Sequence, residues 1–185
     1  MTASTALKSE AASSKSSSQT GKQSMFIIRH GDRWDYSHPE WKKSNPTRPG
    51  DPSLSDLGFA QARDTGRYLG QLLKREKFDL SQLIVLASPF LRTIQTANEI
   101  VAQIEQSDPV STNSPSIKLE CSVWEIDGDD GINHRSLPSP NGLDMGKIIY
   151  ERQQYFPRID TTYNSLFVPE IPGKFQQTTF SWIFC

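Results

Sequence analysis

Apolar positions in this chain fall into three short continuous runs separated by two spaced series. The first run, Met-Phe-Ile-Ile at 25–28, predicts a strand. Ser55 then reads as a helix N-cap. Behind it Leu57, Ala60, Ala62, Tyr68, Leu69, Leu72 and Leu73 recur at about a helical period, predicting a helix that ends near Lys77. The second run, 83–87, is bounded by polar residues and Ser88-Pro89 and predicts a buried strand. A second helix is predicted over 93–104, with Ile94, Ala97, Ile100, Val101 and Ile104 on one side, and a third strand over 117–119.

Strand, helix, strand, helix, strand predicts an α/β protein: a mostly parallel sheet covered on both faces, in a three-layer α/β/α sandwich. Residues 31–53 have no periodicity and form a long loop, a length often tied to function. Beyond residue 126 the pattern dissolves, leaving a short helix within 145–156 before Pro157, then turns and a weak tail. Residues 1–23 are almost wholly Ser, Thr, Ala, Lys and Gln, so this segment is expected to be disordered. The domain is expected over 24–176, with 177–185 a divergent tail.

Charge changes the picture by exclusion. Twenty Lys and Arg against 21 Asp and Glu give a net charge of −1, which argues against a nucleic-acid-binding surface. No run of about 18 apolar residues is present to span a membrane, and no charged segment leads into an apolar one as in a secretory signal. The two cysteines, Cys121 and Cys185, are too few for a disulfide scaffold and suit a reducing, cytoplasmic setting. The histidines and cysteines lack zinc-ligand spacing, so neither a metal nor a cofactor is expected.

The candidate chemistry sits at the ends of the predicted strands, where open parallel sheets collect their sites. The first strand delivers Arg29 and His30, the second Ser88 and Arg92, the third Glu120, with Glu125 in the loop beyond. A histidine with one nitrogen held and the other free is a nucleophile. Arginines neutralise phosphoryl oxygens through charge-assisted forks, and Arg29, Arg33 and Arg92 are available. A leaving alkoxide or phenoxide needs a proton, for which Glu120 or Glu125 is the candidate. Each residue alone has a duller explanation as a turn or surface group; the case rests on their combination.

These residues carry a family likeness. Phe-Ile-Ile-Arg-His-Gly at 26–31 resembles the Arg-His-Gly signature of the histidine phosphatase superfamily, the phosphoglycerate mutase-like fold. Leu-Ser-Asp-Leu-Gly at 54–58 with Gln61-Ala62, and the stretch from Ala87 to Ala97, resemble its helix start and second signature. The resemblance implies a phosphohistidine on His30, a phosphoryl clamp of Arg29 and Arg92, and Glu120 as proton donor, with Glu125 second. Arg-His-Gly-Asp-Arg and residues 156–163 are similar to the STS-type phosphatase branch, which implies that Arg33 also touches phosphate and that substrates are phosphotyrosine-like or other small monoesters.

The resemblance also implies a second histidine on a late strand of the form Val-Val-Ser-His-Gly. The chain has only His30, His38 and His134, and none follows a late apolar strand. The fold is therefore expected to be incomplete at its C-terminal side, leaving a sheet edge open to self-association. Three functions follow as expectations: a phosphomonoesterase weakened by the missing histidine, a non-catalytic phosphate-binding or regulatory module, and, behind both, a mutase-type isomerase.

Overall fold

The computed structural model describes residues 23–45, 50–109, 114–123 and 145–166. The tails at 1–22 and 167–185, Glu125 and His134 lie outside these. In chain order the elements are the single turns α1 (Trp34–Ser37) and α2 (Trp41–Ser44), then α3 (Asp56–Arg75), β1 (Val85–Ala87), α4 (Leu91–Ser107), β2 (Ile117–Leu119) and α5 (Met145–Gln153). β1 and β2 pair in parallel, Val85 opposite Ile117 and Ala87 opposite Leu119. This is an α/β fold with a parallel sheet and helices.

Two packed clusters hold it together. Ala87, Phe90, Ile94, Val101, Ile117, Leu119, Cys121 and Ile159 join α4 to the sheet. Leu69, Leu73, Leu80, Ile100 and Ile104 join α3 to α4. Gly66 and Gly70 allow that second contact to be close, since a Cβ on Gly66 would come within 2.8 Å of the Ile100 backbone. Fully burying each aliphatic side chain stabilises by roughly 1.5–3 kcal/mol, so these clusters dominate the favourable side of folding.

Three expectations are corrected. Residues 25–28 form no strand, and Met25, Phe26 and Ile27 are exposed. A strand is a partnership, and no described segment pairs with this one; only Ile28 packs, against the α3–α4 cluster. The second strand is shorter than 83–87, and its Ile84 is 68% exposed and Leu86 39%. Val85 and Ala87 face α4, while the alternate side chains face away from it. Finally, the segment after Pro157 is more than turns. Ile117 donates to the Arg158 carbonyl at 2.8 Å and Asp160 to the Ile117 carbonyl at 2.9 Å, a parallel bridge that lays Ile159 beside β2.

The long loop is closed at its base. Arg33 and Leu54 form an antiparallel bridge, and the Ser55 N–H donates to the Asp32 carbonyl at 2.9 Å. The loop is not wholly irregular, since it contains α1 and α2.

Candidate active site

The segment from Arg29 to Arg33 rests on the first turns of α3 and α4. Gly31 and Gly58 make this approach possible. A Cβ on Gly31 would lie 2.4 Å from the Gly58 carbonyl oxygen, and one on Gly58 would lie 2.2 Å from that of Asp32. Side chains of both helices then fix the segment. Gln61 Oε1 accepts the Asp32 N–H at 2.8 Å, and Thr96 Oγ1 accepts the Gly31 N–H at 3.2 Å. Ser55 Oγ accepts the Gly58 N–H at 3.1 Å as the N-cap of α3 and donates to Asp32 Oδ2 at 2.6 Å. Gln95 Oε1 accepts the Leu54 N–H at 2.8 Å. The polar residues around His30 are thus a scaffold for its loop.

His30 is half-buried, with Nδ1 2.7 Å from the Gly31 carbonyl oxygen. A carbonyl only accepts, so Nδ1 carries the proton and the lone pair sits on Nε2. Burial lowers the imidazole pKa below its ordinary 6.5; the Gly31 bond opposes this, and the charges of Arg92, Arg29 and Arg33 lower it further. His30 is therefore neutral at pH 7, with a free nucleophilic nitrogen in a field of three guanidinium groups.

Those three are held differently. Arg29 is exposed. Arg33 forms a bidentate pair with Asp35, at 2.9 and 2.6 Å, and lies 4.8 Å from the Tyr36 ring centroid. Arg92 is buried in the first turn of α4, its Nη1 donating to the Gly50 carbonyl at 3.1 Å and its guanidinium 4.2 Å over Phe90. Beside it Ser88 Oγ is buried with no hydrogen-bond partner among the described residues.

Glu120 lies at the end of β2, buried, with both carboxylate oxygens engaged. Oε1 accepts from Ser165 Oγ at 2.7 Å and the Ser122 N–H at 2.9 Å. Oε2 accepts from Tyr163 Oη at 2.6 Å and the Leu166 N–H at 2.9 Å. Burial alone would raise its pKa; the donors Tyr163, Ser122, Leu166 and Ser165 outweigh this and hold it at about 2. In this arrangement Glu120 is an anion at neutral pH, whereas a proton donor needs a raised pKa. Its companion candidate, Glu125, lies outside the described residues.

Sequence reasoning missed several participants. Asp51 accepts the Leu91 N–H at 2.6 Å, capping α4, and pairs with Arg152 of α5. Gln61, Gln95 and Thr96 position the loop. Tyr163 and Ser165 hold Glu120 across more than 40 residues of sequence, a distance no local pattern spans. His38 stacks on Trp34 at 3.7 Å and belongs to the wall of the long loop. Cys121 is buried and its thiol is pushed up to about 11, which makes it unreactive. Among the described residues no group of three or more His, Cys, Asp or Glu is placed to hold a metal ion, and no helix is long and apolar enough to cross a membrane.

Residues 25–115, just under half of the chain, match the family model of the histidine phosphatase superfamily (branch 1). Among solved structures it is similar to the ecdysone phosphate phosphatase from Bombix mori, determined in complex with tungstate. The TM-score is 0.51 at 20% identity, over 81% of this chain and 59% of that one. The chain therefore spans well under two thirds of that structure's length, and the likeness establishes the fold. No curated protein matches the chain.

Proposed function

We propose that this chain is a phosphomonoesterase-type domain that takes the phosphoryl group of a small monoester onto His30 Nε2. The observation that carries this is the neutral imidazole, its Nδ1–H given to Gly31 and its ring under the charges of Arg92, Arg29 and Arg33. In the step, the Nε2 lone pair forms an N–P bond, the P–O bond to the leaving group breaks, and the departing oxygen carries away the electron pair and takes up a proton from water. The arginines offset the charge on the equatorial oxygens, where most catalysis of phosphoryl transfer resides. Water then attacks the phosphohistidine and frees His30.

The rim supports a substrate class. Tyr36 and Trp34, exposed on α1 next to Arg33, suit an aromatic or apolar leaving group. The Arg-His-Gly-Asp-Arg loop supports placement in the STS-type branch, with phosphotyrosine-like or other hydrophobic monoesters as substrates. The tungstate-bound neighbour acts, by its name, on ecdysone phosphate.

A second reading has its own support. Glu120 is held as a carboxylate by four donors, so no protonated acid stands at the position expected to supply one. A missing general acid typically costs about 10²–10⁴-fold in rate. On this reading the domain binds phosphate and turns over only esters whose leaving groups depart without help.

The test is phosphoenzyme trapping with a phosphorus-labelled aromatic ester. We expect acid-labile, base-stable label, up to one per chain, that is absent in His30→Ala. Turnover should be much faster for a nitrophenyl than for an alkyl ester. Vanadate binding without any label would favour the binding module. Label that persists in His30→Ala would remove His30 from the role.

A further inference from the structure

Asp51 belongs to none of the motifs that mark the site, yet it is buried beside it at 4% exposure. Its Oδ1 accepts the N–H of Leu91, the first residue of α4, at 2.6 Å, and its Oδ2 meets the guanidinium of Arg152. The N-cap residue of α4, Phe90, offers no side-chain bond, so an acid from a distant loop caps the helix instead. Such a carboxylate suits the positive end of the helix dipole. One residue earlier, the Gly50 carbonyl accepts from Arg92 Nη1 at 3.1 Å. That carbonyl lies in the rigid peptide plane it shares with the Asp51 nitrogen. A shift of Asp51 therefore turns the group that holds Arg92.

We propose that Asp51 is the positioning residue for Arg92: clamped between the start of α4 and Arg152, it fixes the Gly50 carbonyl and through it the guanidinium that serves the phosphoryl group. The inference rests on the reading of His30 and Arg92 as the phosphate site. Asp51 itself touches no substrate. Its charge is answered by Arg152, so it holds Arg92 without adding a free anion to a pocket for phosphate.

The experiment is a double-mutant cycle on the full 185-residue chain, reading vanadate affinity by calorimetry, with melting temperature as the check of folding. Asp51→Ala should weaken vanadate binding about tenfold in the wild-type background and less than about twofold in an Arg92→Ala background, since coupled residues are non-additive. Asp51→Asn keeps the oxygen on Leu91 but sets an N–H donor against Arg152, so its loss should fall between wild type and Asp51→Ala. Equal losses in both backgrounds, or no loss in either, overturn the proposal. If Asp51→Ala does not fold, Arg152→Met carries the same cycle: a loss confined to the background that keeps Arg92 supports the proposal, and an additive loss overturns it. If wild type and Arg92→Ala bind vanadate equally poorly, the reading of the site falls and the inference with it. If Arg92→Ala alone loses binding, only the role of Asp51 falls.

Discussion

The proton on His30 decides what the site can do. Nδ1 is committed to Gly31, and the pKa lies below 6.5, first because the ring is buried and then because three guanidinium groups repel a proton. Phosphoryl transfer to Nε2 should therefore keep its rate as pH falls through 6.5 and decline only below it. A pH profile of phosphoenzyme formation tests this, and an acid limb centred above 6.5 would contradict it. Stability carries the same sign. The unfolded chain binds the proton more readily, so this contribution is present above 6.5 and fades as pH falls toward the lowered folded value. Gly31 is the second decisive residue. Its Cβ would strike the Gly58 backbone at 2.4 Å, so Gly31→Ala should cost about 1–3 kcal/mol, the usual scale of overpacking. It should also cut phosphoenzyme formation at least about tenfold by moving His30, since misplacing a reacting group by an ångström is that expensive. Chemical denaturation and trapping on the same sample check both. At this scale the sequence picked out residues that the structure also places near one another: the charges of Arg92, Arg29 and Arg33 all bear on His30. It could not mark Asp51, whose partner on α4 is a backbone N–H, a donor that every residue but proline offers.

Helices and strands were legible to different degrees, for a physical reason. The start of α3 could be read because its cap is local: Ser55 bonds Gly58 three residues on. Its end is also local, at Arg75, close to the Lys77 at which the apolar series predicts it, although no glycine marks the stop. Phe78 N–H donates to the Leu73 carbonyl at 2.9 Å and Lys77 N–H to that of Lys74 at 3.1 Å, and this closing motif usually places glycine where Lys77 stands. Lys77 accordingly has φ of 52°, in the left-handed region. Lys77→Gly should relieve that strain and raise stability by about 0.5–1 kcal/mol, net of the greater freedom glycine has in the unfolded chain. A urea midpoint that does not rise would refute it. Strands depend on partners remote in sequence. Residues 25–28 are as apolar as 83–87, yet only the latter run forms a strand, because β2 stands beside it. In the opposite direction, residues 158–160 gave no strand signal and still bridge to β2. They are held by Arg158 to Glu105 at 2.6 Å and by Lys118 to Asp160 at 2.7 Å.

Across the whole molecule, Glu120 does more for architecture than a surface acid would. It gathers Ser122, Tyr163, Ser165 and the Leu166 N–H, and so fastens the segment beyond Pro157 to the end of the sheet that also carries the site. The Asp51–Arg152 and Arg158–Glu105 pairs fasten the same part of the chain to α4 and its approach. A carboxylate held at about 2 against an ordinary 4.5 stores stability that is complete above 4.5 and is lost as pH falls from there toward 2. The amount is on the order of 3 kcal/mol, since each tenfold change in proton affinity is worth about 1.4 kcal/mol. Asp160, lowered mainly by its bond to Lys118, adds a contribution of the same sign. Glu120→Gln isolates the larger part. An amide cannot accept all four donors, so at pH 7 the variant should be about 2–3 kcal/mol less stable than wild type. Because the variant has no group to protonate there, the gap should narrow steadily as pH falls below 4.5. Urea unfolding of both proteins at intervals from pH 7 to pH 3 measures the gap directly. A gap that stays constant across that range would mean that Glu120 is not the anion that fastens this segment, and a gap that widens as pH falls would mark a carboxyl with a raised pKa and return it to the role of proton donor.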